Sequence, residues 1–154
     1  MLRPTRIRLE PGFSLLEVLI TVVVISIGLL GLAGLQFAGL RASNSAQDHT
    51  LATLLAQDIA ERIHANPGSG YNGINLDSAS SVTPVACDAG SDCDSSTLRG
   101  YDEYQWKQAI DRPLLANLQL KIEHFGADPD DSYTVTLNWG NADNQQSLIA
   151  SFAP

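Results

Sequence analysis

Aromatic residues make up only 6% of this 154-residue chain, methionine occurs once, cysteine twice, and nine basic side chains face 17 acidic ones. The scarcity of Lys and Arg excludes a nucleic-acid partner. Phosphate binding needs clustered cations, and beyond Gly12 only Arg41, Arg62, Arg99, Lys107, Arg112 and Lys121 remain, well scattered. There is no Gly-rich phosphate loop and no nucleophile elbow, and His49, His64 and His124 lack ligand or triad companions, so nothing points to catalysis or to a cofactor. The length leaves room for one modest domain. The formal charge of -8 is unevenly spread. The first twelve residues hold Arg3, Arg6 and Arg8 against Glu10, and everything after Gly12 sums to -10, an asymmetry typical of a targeting segment.

What is abundant is one long apolar run. From Phe13 to Leu40 the only charged side chain is Glu17, and the uncharged stretch Val18 to Leu35 makes a helix of about 27 Å, enough to cross a bilayer. Arginines precede it and an acidic body follows, which places the short leader in the cytoplasm and the bulk of the chain outside. A cleaved secretory signal also has a basic start and an apolar core. Here the apolar stretch is too long, and no small-x-small site follows it.

Glu17 is costly inside an apolar segment and therefore implies a partner. A cut between Gly12 and Phe13 would supply one, a new amino group four residues away on the same helical face, so that ammonium and carboxylate could neutralise each other within or between subunits. The string Gly12-Phe13-Ser14-Leu15-Leu16-Glu17-Val18-Leu19 resembles the N-terminal signal of prepilins and pseudopilins. The resemblance implies cleavage after Gly12 by a membrane-embedded prepilin peptidase, methylation of the Phe13 amine, and docking of each incoming subunit through Glu17. Gly28, Gly31 and Gly34 recur at every third position and allow close helix approach.

Beyond Leu40 the pattern turns amphipathic, with Leu51, Leu55, Ile59 and Ile63 at i, i+4 spacing, Leu54 beside them and polar residues elsewhere. The helix is expected to continue to Asn66-Pro67-Gly68, giving about 80 Å from Phe13 to Ala65. Glu61 and His64 lie one turn apart, but a single such pair with no matching helix reads as a solvated face rather than a metal site.

Residues 68–97, rich in Gly, Ser, Asp and Asn, read as a surface loop. Within it, Cys87 and Cys93 are expected to close a small disulfide loop in an oxidising compartment; a metal site would need a second pair of soft ligands, and there is none. Asp88, Asp92 and Asp94, like Asp128, Asp130 and Asp131, lack the spacing of a calcium loop. A second helix is expected at about 102–112, with Asp102 and Gln105 at capping-box spacing. Three strands follow at about 118–125, 132–139 and 145–152, joined by short hairpins. The expected architecture is α+β. A leader (1–12) precedes a membrane half of the helix (13–40) and an amphipathic half (41–66), which covers a small antiparallel sheet in a head spanning 67–154.

Two further runs, Gly28 to Gln36 and Leu54 to Asn66, resemble the minor pilins called PilV, or type IV pilus modification proteins, and Asp102 to Trp106 followed by three strands fits that family's C-terminal half. The resemblance implies the pilin fold and a low-abundance subunit near a fibre tip that primes assembly and supports adhesin display, attachment and twitching motility. Its implied partners are the prepilin peptidase, other minor pilins, the major pilin, a tip adhesin, the inner-membrane assembly platform and, before assembly, membrane lipid. The implied location is a single-pass inner-membrane protein with a periplasmic head, later in the surface fibre. A minor pseudopilin of a type II secretion system shares the same N-terminus and remains the alternative.

Overall fold

A computed structural model describes residues 12–87, 93–112, 115–126 and 131–154. Most of the leader, and with it Glu10, lies outside them, as do Asp88, Asp92, Asp128 and Asp130. The chain divides after Asn44 into two compact units.

In the first unit the sequence does one thing. Leu15 opens α1 (Leu15–Ala65), and no described residue before Asn44 is buried. Hydroxyls that would otherwise compete with the backbone fold back onto it: Thr21 Oγ1 donates to the Glu17 carbonyl at 2.6 Å and Ser26 Oγ to that of Val22 at 2.7 Å. At the end of the apolar run the Arg41 guanidinium sits 4.4 Å from the centre of the Phe37 ring, one turn back.

In the second unit the distal part of α1 packs on a four-stranded antiparallel sheet, an α+β, pilin-like arrangement. The strands are β1 (Asn75–Leu76), β2 (Gln119–Phe125), β3 (Ser132–Asn141) and β4 (Asn144–Phe152), neighbours in sequence order. Alternation sets the faces: Tyr133, Val135, Leu137 and Trp139 are buried, as are Leu120 and Ile122 on β2. The hairpin between β3 and β4 is tighter than expected, because pairing runs on to Asn141 and Asn144 and leaves a two-residue turn. Gly140, at φ +105°, makes this close approach feasible, since a Cβ there would overlap the Asn144 carbonyl oxygen.

Three contacts fix the direction of α1 over the sheet. Gln146 Nε2 reaches Ser45 Oγ at 3.3 Å, His49 packs edge-on against Trp139, which is paired with Gln146, and His64 stacks on Phe152. The helix from Ser45 to His64 therefore runs alongside β4 and in the same direction.

Four expectations need correction. The buried stripe of α1 is Ala52, Ala56, Ile59 and Ile63, whereas Leu51 and Leu54 face outward at 36% and 57% exposure. Small alanines let the helix approach the sheet, and the bulkier leucines fall about one residue's rotation away. The sheet has four strands, not three: β1 is only two residues long, too short to show alternation, and lies within the stretch 68–97. A 3-10 turn at Pro67–Ser69 leads into that stretch, and α2 (Ser95–Asp111) starts within it. Finally, α2 is capped by Asp94, not Asp102: Asp94 Oδ1 accepts from the Thr97 N–H at 2.7 Å, and this backbone bond, with those from the Thr97 and Ser96 hydroxyls, holds its carboxyl at about 2.

Candidate functional site

Gly12, Phe13 and Ser14 precede the helix, and all three are exposed. The Gly12–Phe13 peptide bond thus lies outside the helical hydrogen-bond ladder, where an enzyme's cleft can reach it. Ser14 caps α1: its Oγ accepts from the Glu17 N–H at 3.2 Å, and its carbonyl accepts from the N–H groups of Glu17 and Val18 at 3.1 and 3.3 Å. Ser14-Leu15-Leu16-Glu17 therefore has the spacing of a capping box, a signal the sequence itself carries. It places the one carboxylate of the apolar run in the first turn, where the partial positive end of the helix favours it. Phe13 itself stands outside the helix rather than one full turn from Glu17 on it. The two still border one shallow depression, shared with Val18, Thr21 and Val22.

From Val18 to Leu35 the helix presents an uncharged, largely apolar surface. An 18-residue window reaches a mean hydropathy of 2.7 with none of it buried within the chain, and this is the one described helix long and apolar enough to cross a membrane. Gly28, Gly31 and Gly34 meet no side chain or backbone within 4 Å of where a Cβ would stand.

The head's own polar centre lies at the end of α1. Asp102, at 2% exposure, sits in the middle of α2. It accepts from Arg62 Nη1 at 2.9 Å and from the Tyr71 hydroxyl at 2.5 Å. Arg62 also donates to Asp58 at 2.8 Å, and Asn66 donates to Tyr71 Oη and to the Ser95 carbonyl at 3.2 and 2.9 Å. Burial works against the Arg62 charge, but the hydrogen bonds of Asp58 and Asp102 outweigh it and hold the arginine above its ordinary value. Burial, reinforced by the neighbouring Asp102 carboxylate, pushes the Tyr71 phenol up to about 12. Each polar group in this cluster is matched by another, so it reads as a clasp joining α1, the following turn and α2 rather than as reactive machinery.

Cys87 and Cys93 are bonded to each other, just ahead of α2. His64 directs Nδ1 to the Ala60 carbonyl at 2.7 Å and its ring onto Phe152, away from any ligand role with Glu61. His124 pairs with Asp131. No cluster of three or more His, Cys, Asp or Glu side chains suited to a metal occurs among the described residues.

Comparison with known proteins returns two family matches. Residues 7–33 match the prokaryotic N-terminal methylation motif, and residues 34–104 match the family described as type IV pilin Tt1218. No curated protein and no solved structure matches the chain. The first match covers the Gly12–Phe13 bond, the Ser14 cap and Glu17; the second covers the rest of α1 and both ends of the Arg62–Asp102 pair. Residues 7–104 are therefore spanned without a gap by an N-terminal methylation motif and a segment similar to a type IV pilin, which makes the chain pilin-like in sequence as well as in fold.

Proposed function

We propose that this chain is a minor pilin of a type IV pilus, made as a membrane-anchored precursor and cut between Gly12 and Phe13. One observation carries the reading: an accessible, non-helical Gly12–Phe13 bond stands directly ahead of a helix whose apolar run, Phe13 to Leu40, holds a single carboxylate, Glu17, in the helix's first turn, within a stretch that matches the methylation motif. Cleavage by the prepilin peptidase turns the Phe13 nitrogen into an amine, which the same enzyme methylates. Before assembly the apolar stretch sits in membrane lipid, with the head on the periplasmic side. In the fibre, the Glu17 carboxylate pairs with the amine of a neighbour's first residue, an ionic contact made strong by apolar surroundings and by the loss of competing water. The role is structural rather than catalytic.

The narrower assignment, a PilV-like subunit near the tip with other minor pilins, an adhesin and the assembly platform, is supported by the runs Gly28 to Gln36 and Leu54 to Asn66. The deciding experiment is intact-mass and N-terminal analysis of the protein from sheared surface fibres and from membranes of the same cells. A chain beginning at methylated Phe13 in the fibres is the expected result. A processed chain confined to membranes would instead indicate a secretion pseudopilin, and an uncut chain beginning at Met1 would overturn the proposal.

A further inference from the structure

The two edges of the sheet are finished differently. On the β1 side the chain itself covers β2: the Gly73 N–H donates to the Ile122 carbonyl at 3.0 Å, the Ile122 N–H to Ile74 at 2.8 Å, and the His124 N–H to Asn72 Oδ1 at 3.0 Å. On the other side, β4 is nine residues long, Asn-Gln-Gln-Ser-Leu-Ile-Ala-Ser-Phe, with no charge and no proline, and no hydrogen bond among the described residues reaches its outer edge. Exposed edges are normally blunted by shortness, charge, proline or a bulge, because a bare row of N–H and C=O groups is a template for another strand. Here none of those devices is used.

Hydrogen-bond parity identifies the bare groups. The Gly140 N–H points away from β4, to the Ala116 carbonyl at 2.7 Å, and the Asn141–Asn144 pair closes a two-residue turn. Alternating from there, the even-numbered residues of β4 bond to β3, and Gln145, Ser147, Ile149 and Ser151 direct their N–H and C=O groups outward. Beside this edge runs an apolar groove floored by Ala56 and Ala60 of α1 and by Leu148, Ala150 and Phe152 of β4. Its small side chains leave room for the inward-pointing residues of an added strand, and Ile149, 67% exposed, offers a cross-strand partner on the opposite face.

We propose that the outer edge of β4 is a strand-addition site, which takes an extended, alternately apolar segment of a different fibre subunit as the sheet's fifth strand. The row of unpaired backbone groups selects an extended occupant over a helix. A second copy of this chain is disfavoured by charge, since the -10 carried by the chain after Gly12 opposes self-pairing. That the neighbour is a fibre subunit rests on the pilin reading above.

The test places a photo-crosslinking benzophenone amino acid at Ile149 of the full-length chain in fibre-bearing cells and maps the product by mass spectrometry. The expected product joins Ile149 to one short extended stretch of a different protein that carries its own prepilin motif. Ser147→Pro removes an outward N–H without touching the bonds to β3, and should lower the yield roughly tenfold while the purified chain keeps its near-UV circular dichroism. Ser151→Pro serves the same end should Ser147→Pro fail to fold. Cross-links to a second copy, to lipid or to scattered sites, or a yield unchanged by either proline, would overturn the proposal. A processed chain present in fibres without a cross-link overturns this inference alone, whereas an uncut chain missing from fibres brings down the pilin reading and the proposed neighbour with it.

Discussion

The residues before Ser45 and those after it solve opposite problems. Among the described residues of the first unit, Val23, the least exposed of the large apolar side chains, still shows 48% of its surface, and the one carboxylate, Glu17, lies in the first turn of the helix. In the second, a core from Ala52 to Trp139 closes over itself, and its one deeply buried carboxylate, Asp102, is matched by two donors within the chain. The two carboxylates show the contrast. Asp102 finds its partners by folding, whereas the Glu17 carboxylate has none among the described residues and on the proposed reading finds one in a neighbour. Folding of the head and assembly through the helix should therefore fail separately.

The largest expected effect tests that separation. Glu17→Val should leave membrane insertion and the head's thermal unfolding unchanged but lower recovery in sheared fibres by at least about tenfold, since the variant loses the ionic contact and keeps the apolar helix. Altered unfolding of the head would break the comparison. Next, Asp102→Ala should destabilise the head by about 2 kcal/mol in urea unfolding of the full chain in detergent, as the Tyr71 hydroxyl loses its acceptor and the partly exposed Arg62 keeps only Asp58. Replacing both members, Arg62→Met with Asp102→Leu, should recover much of that loss. Cys87→Ser should cost about 2 kcal/mol by the same measurement, because the loop it opens is short.

The smallest effect sharpens the picture of the clasp. The folded chain raises the Tyr71 phenol from 10.0 to about 12, so its contribution to stability is complete below pH 10 and is lost as pH climbs toward 12. Tyr71→Phe should flatten the alkaline limb of the stability profile in that window, at a cost near neutrality of about 1 kcal/mol for the lost hydrogen bond to Asp102.

How much of this was legible in the sequence follows from how local each signal is. The apolar run, the Gly12–Phe13 junction, Glu17 and the alternation in β2, β3 and β4 are periodic or contiguous, and they needed no tertiary knowledge. Asp102 was misplaced as a cap because spacing to Gln105 suggested one; its true partners, Arg62 and Tyr71, lie 40 and 31 residues away, where no pattern in one chain connects them. The buried face of α1 was misassigned because leucines outweigh alanines in a periodicity count, while packing against the sheet favours the smaller residue. β1 was invisible because two residues have no period, and it is defined only by pairing with Leu120 and Lys121. The Ser14 cap was readable and overlooked.

The course of α1 alongside β4 also governs how the head meets mechanical load. A pull applied to the head at Ser45 along the axis of its own part of α1 runs nearly along the strands. It slides one layer over the other, loading Ala52, Ala56, Ile59 and Ile63 together instead of peeling them away in turn. Arg62, gripping Asp58 on its own helix and Asp102 on the next, adds a charged fastening to that layer. A pull that must break every contact at once meets more resistance than the same contacts offer singly.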